Sequence, residues 1–143
     1  MHQRGRPARI LLVEDSVADA KLFAIALDEA GSTSVVMTAE DGDDALRKLT
    51  AIVHGDIPRP DVVVLDINLP RVNGIDVLRR IKGDPELRTM PVVVFSTSRA
   101  DVDIAAAYAC GASSYVVKPV DLHRFMDVVR SIESYWTATV RLP

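Results

Sequence analysis

The sequence predicts an α/β chain of five successive β-α units, folded as a doubly wound, five-stranded parallel sheet. Three observations carry this. Short β-branched runs recur along the chain, amphipathic stretches separate them, and the two alternate strictly, the pattern that right-handed crossovers produce. Ala8 to Val13 is the first strand, and the runs 61–65, 91–95 and 114–117 repeat its character. Such continuous apolar runs suit strands covered on both faces. A weaker run, Ser34-Val35-Val36-Met37-Thr38, completes five.

Helical spacing fills the intervals. Ser16-Val17-Ala18-Asp19 has the form of a capping box, opening a helix with Phe23, Ala26, Leu27 and Ala30 on one face and Gly31 at its close. Asp41 to about His54 places Ala45, Leu46, Leu49, Ile52 and Val53 at helical positions, and Gly74 to Lys82 does the same with Val77, Leu78 and Ile81. Ser98-Arg99-Ala100-Asp101 offers a second capping box before a helix ending near Cys110-Gly111. Asp121 caps the last helix, which runs through Phe125, Met126, Val129 and Ile132 towards Trp136.

The 143 residues suit one domain, spanning 8–136, with a flexible basic N-terminus at 1–7 and a tail at 137–143. Arg4, Arg6 and Arg9 read as a solvated, frayed start. No apolar run reaches the ~18 residues of a membrane span, and the start lacks the apolar stretch of a signal peptide, so a cytoplasmic protein without membrane contact is expected. One cysteine, Cys110, excludes an internal disulfide framework and a cysteine-cluster metal site. A net charge of −3 argues against direct nucleic-acid binding. His2, His54 and His123 share no metal-ligand spacing.

Ligands of open parallel sheets bind outside the carboxyl ends of the strands. Glu14-Asp15, Asp66-Ile67-Asn68, Ser96-Thr97 and Lys118-Pro119 stand at those ends. The first β-α turn carries two carboxylates where a nucleotide binder has glycines to present backbone N–H groups to phosphate. It therefore wants a cation. Glu14, Asp15 and Asp66 against Lys118 leave a local charge of −2, and hard oxygen ligands with no histidine or cysteine nearby select Mg²⁺. Metal, ammonium and hydroxyl are the parts that phosphoryl transfer needs. Asp66, alone on the central strand, is the nucleophile of choice and would form an aspartyl phosphate.

These four separated elements resemble the receiver domain of two-component response regulators over nearly the whole chain. The resemblance implies the flavodoxin-like receiver fold, with Asp66 as phospho-acceptor. It makes Glu14, Asp15 and Asp66 the Mg²⁺ site, Asp15 and Asp66 in direct contact and Glu14 through water, with the backbone carbonyl of Asn68 completing the shell. It makes Lys118 the lysine that pairs with the phosphoryl group, its bond to Pro119 cis, Ser96 the switch hydroxyl and Tyr115 the aromatic that follows it. Leu69 and Asn73 depart from the common family pattern, and Asn73, outside the metal cluster, is expected to alter loop capping alone. The Pro58-Arg59-Pro60 insert and the ending from Ile132 to Pro143 resemble small stand-alone regulators paired with phytochrome-like kinases.

The resemblance implies a switch rather than an enzyme: a sensor histidine kinase donates the phosphoryl group, and a downstream protein or phosphorelay partner reads the result. Two other functions are weighed. An aspartyl-phosphate phosphatase of the haloacid-dehalogenase type needs D-x-D, and Asp66-Ile67-Asn68 ends in an amide that cannot shuttle a proton. A receiver-shaped module that is never phosphorylated is the other. Tyr135 and Trp136 have two readings, cover for the domain's own core or part of a homodimer face with the tail and the fourth helix, fifth strand and fifth helix.

Overall fold

The computed structural model describes residues 6–139. Five strands, β1 (Arg9–Val13), β2 (Val35–Ala39), β3 (Val62–Leu65), β4 (Val92–Ser96) and β5 (Ser114–Val117), form one sheet in the order β2-β1-β3-β4-β5. All neighbours are parallel. The helices are α1 (Val17–Glu29), α2 (Gly42–Val53), α3 (Gly74–Lys82), α4 (Asp101–Ala109) and α5 (Leu122–Ser134), and a π-helical segment, Tyr135–Thr139, continues α5.

Alternation along the strands divides the core. Leu11, Val13, Val63, Leu65, Val92 and Val94 face α2, α3 and α4, against Leu49, Leu78, Ile81 and Ala107. Ile10, Leu12, Val62, Val64, Val93 and Phe95 face α1 and α5, against Phe23, Leu27, Phe125 and Val129. Successive side chains of a strand point to opposite faces, so each apolar run serves both layers. The periodic residues of α2, α3 and α5 fall in this core as the spacing requires, whereas Ala30 is the exposed C-cap of α1 rather than part of its buried face.

Four strands start one residue later than their apolar runs. At β4 the reason is that Pro91 has no N–H to donate. At β3, the Asp61 carboxylate instead accepts two bonds from the Arg6 guanidinium, at 2.9 and 3.0 Å, and one from the Arg9 N–H at 2.9 Å. Arg6 is thus engaged rather than solvated, while Arg4 lies outside the described residues.

Caps set the helix starts. Ser16 accepts from the Asp19 N–H at 3.2 Å, but Asp19 does not return the bond, so the capping box is half formed. The expected box at 98–101 does not form: α4 begins after Ala100, which has no side-chain cap, and Ser98 instead donates to Asp103 at 2.6 Å. Asn73 caps α3 by accepting from the Ile75 N–H at 2.8 Å. The first residue of α3 must be glycine, because a Cβ on Gly74 would lie 2.5 Å from the Asp66 carbonyl oxygen and 2.4 Å from the Ile67 Cα. That close approach seats the helix directly beneath the end of β3.

Candidate functional site

Parallel strands bring their carboxyl ends to one rim, and four strand ends there carry the residues that sequence reasoning selected. Glu14 and Asp15 follow β1, Asp66 follows β3, Ser96 ends β4 and Lys118 follows β5. Glu14, Asp66, Ser96 and Lys118 are buried, and Asp15 is exposed.

Lys118 is the hub. Its ammonium donates to Glu14 Oε1 at 2.6 Å, Asp19 Oδ2 at 2.8 Å and Asp66 Oδ2 at 2.9 Å, which uses all three of its protons. It also lies 5.9 Å from the centre of the Phe95 ring. Burial pushes the Lys118 pKa down, but bonds to Asp19, Glu14 and Asp66 outweigh it and the net direction is up, so the ammonium is held charged. Glu14 goes the other way for an acid. Its burial raises the pKa from 4.5 to about 7, against the lowering pull of Lys118 and with a further upward push from Asp66.

The second oxygen of Asp66, Oδ1, accepts from the Asn68 N–H at 2.9 Å, and the Asn68 side chain donates to Ser96 Oγ at 3.1 Å. Ser96 Oγ also accepts from the Ser98 N–H at 3.2 Å, and the Ser98 carbonyl accepts the Tyr115 hydroxyl at 2.9 Å. Asp66, Asn68, Ser96, Ser98 and Tyr115 therefore form one continuous relay. The Tyr115 N–H in turn donates to the Tyr108 hydroxyl at 3.0 Å.

Carboxylate oxygens of Glu14, Asp15 and Asp66 come within 4.8 Å of one another. Three hard oxygen donors from two neighbouring strand ends, with no histidine or cysteine in the group, fit a divalent ion of the Mg²⁺ class. An open cleft of about 590 Å³, lined by Glu14, Asp15, Lys21, Glu40, Asp41 and Pro70 among others, lies beside the acidic pair on the α1 side. Next to it Arg71 adopts φ 63°, a left-handed conformation rare for a side-chain-bearing residue, in the loop that follows Asp66.

Two corrections belong here. The Lys118–Pro119 bond was expected to be cis, and no cis bond occurs among the described residues. The trans form is the ordinary preference of an X–Pro bond, and Lys118 reaches all three carboxylates with it. Second, sequence reasoning missed Asp19. It was read only as the fourth residue of a capping box; its place one turn into α1 from the Glu14-Asp15 pair was the signal that could have found it.

A buried aspartate at the end of a central parallel strand, paired with a lysine and beside two further carboxylates, is the arrangement expected of a phospho-accepting switch domain. The chain belongs to the response regulator receiver domain family, which residues 10–130 match. It is similar to Response regulator Rcp1 of Synechocystis sp., 38% identical over 138 residues that cover 96% of this chain and 94% of the relative. Among solved structures it resembles the phosphorylated cyanobacterial phytochrome response regulator RcpA, with a TM-score of 0.90, 38% identity, and 96% and 99% of the two chains covered. It also resembles the Mn²⁺-bound form of Rcp1, with a TM-score of 0.85, 35% identity, and 96% and 99% covered. A divalent-metal site at the acidic pocket is consistent with that relative and with the carboxylate group found here.

Proposed function

We propose that this protein is a phosphorylation switch in which Asp66 accepts a phosphoryl group from a phosphohistidine of a sensor histidine kinase. The observation that carries the reading is the state of Asp66: buried, with one carboxylate oxygen held by the Asn68 N–H and the other by Lys118. A carboxylate fixed at both oxygens is positioned to attack phosphorus, forming a P–O bond as the P–N bond of the donor breaks. Glu14, Asp15, Asp66 and the Asn68 carbonyl are the proposed metal ligands. Mg²⁺ bound there supplies charge compensation for the transferring oxygens. Lys118 pairs with the phosphoryl group once Asp66 has lost its charge.

Ser96 and Tyr115 give the switch its readout. A phosphoryl oxygen would accept the Ser96 hydroxyl proton while the Ser96 oxygen accepts from the Asn68 amide and the Ser98 N–H, so the Ser98 segment and Tyr115 are tied to the same network. The phosphate favours whichever loop arrangement it contacts more strongly, which is population shift by differential binding. Val102 and Tyr108 of α4, with Val120 and Leu122 beyond β5, expose apolar side chains on the face that would change partners, either a downstream protein or a phosphorelay protein. The relatives named as phytochrome response regulators support a phytochrome-like kinase as donor. Among the described residues no helix is long and apolar enough to cross a membrane, in keeping with a proposed cytoplasmic location. On this reading the protein turns over only its own phosphoryl group.

The test is intact mass after incubation with a small phosphodonor, with and without Mg²⁺, beside Asp66→Asn. One phosphoryl adduct that needs Mg²⁺ and vanishes in the variant is expected. Steady phosphate release without an adduct would favour the phosphatase, and neither product would favour a silent module.

A further inference from the structure

Three carboxylates share Lys118, but they are not equivalent. Glu14 and Asp66 also belong to the group that converges for a metal ion, and Asp19 does not. A divalent ion arriving at Glu14, Asp15 and Asp66 draws on two of the carboxylates that Lys118 now holds. Asp19 is the one partner left outside that competition. Its own placement is secured twice, by its N–H on the Ser16 hydroxyl and by Lys118 at 2.8 Å, and Ser16 is fixed in turn by donating its N–H to Glu14 Oε2 at 3.2 Å.

We propose that Asp19 is a positioning residue for Lys118: it holds the ammonium on the α1 side, so that Glu14 and Asp66 can be yielded to a divalent ion while Lys118 stays in place. Without it, Lys118 has only the proposed metal ligands Glu14 and Asp66 to bond, so ion and lysine compete for the same two carboxylates. The inference rests on the divalent site of the proposed switch and assigns a determinant of its metal affinity.

The experiment measures Mg²⁺ affinity by calorimetry on the full chain for wild type, Asp19→Asn, Lys118→Gln and the double variant. Asp19→Asn keeps the size of the side chain, and circular dichroism checks that it folds. The Asp19 side chain is 28% exposed, so its bare field at the metal is screened. The expected result is about fivefold weaker binding in Asp19→Asn and less than about twofold change when Lys118 is already Gln. Asp19→Glu, which keeps the carboxylate, is expected to recover most of the affinity. A second readout is the ammonium signal of Lys118 in ¹⁵N-lysine-labelled, Mg²⁺-loaded protein, slow to exchange in wild type and lost in Asp19→Asn. An equal loss of affinity in both backgrounds, or no loss in either, overturns the proposal. Failure of wild type to form a phosphoryl adduct sinks the phosphorylation reading alone, because metal binding is read without it.

Discussion

At the scale of single residues, the pocket stores charge that only partial neutralisation makes tolerable. Lys118 lies buried among three carboxylates, and removing it leaves Glu14 and Asp66 buried beside each other without a cation. Lys118→Ala is expected to lower stability by roughly 3–5 kcal/mol in metal-free protein, the cost of orphaning buried charge, and Mg²⁺ is expected to restore part of it. Urea unfolding with and without Mg²⁺ checks this. Glu14 makes the complementary prediction. Its folded pKa of about 7 stands above the ordinary 4.5, so between those values the folded protein keeps a proton that the unfolded chain has released. The Glu14 contribution to stability therefore falls as pH rises from 4.5 to 7, and levels off above. The contribution is at most about 3 kcal/mol at 1.36 kcal/mol per pH unit, and it should vanish in Glu14→Gln when urea midpoints are compared across that window.

At the scale of elements, α3 is packed most closely against the backbone of Asp66. Gly74→Ala drives a Cβ into the Asp66 carbonyl and the Ile67 backbone, so the helix or Asp66 must shift. A loss of about 2 kcal/mol or more and slower phosphoryl acceptance are expected together, read by thermal unfolding and adduct formation. Asn73→Ala removes only a cap and should cost about 1 kcal/mol with acceptance largely kept. The strands, α2, α3 and α5 were legible in the sequence because burial imposes periodicity, and Glu14, Asp66, Ser96 and Lys118 because a parallel sheet gathers its strand ends. What was illegible depends on where side chains turn. Ser98 and Asp101 have the spacing of a cap, yet the loop needs Ser98 for Asp103 and Tyr115. Arg6 looked like a free terminal charge because its partner, Asp61, is 55 residues away. Asp19 satisfied a local rule, and nothing local said that its carboxylate serves a lysine 99 residues on.

At the scale of the whole molecule, metal and fold are linked. An ion that binds the folded pocket and not the unfolded chain stabilises by about 2.7 kcal/mol at a hundred times its Kd, and a rise in Tm of roughly 5–10 °C is expected. Asp15→Asn, which removes a proposed metal donor without touching Lys118, should blunt that rise in a thermal scan. A different consequence follows from the Tyr108 hydroxyl that accepts the Tyr115 N–H. β5 is one of the two edge strands, only four residues long, and its outward backbone donors are what a foreign strand would grasp to lengthen the sheet. One of them is already taken by a side chain of the same molecule. With that donor withheld from a foreign strand, Tyr108→Phe, which frees it, should make concentrated protein scatter light over time while leaving the pocket intact.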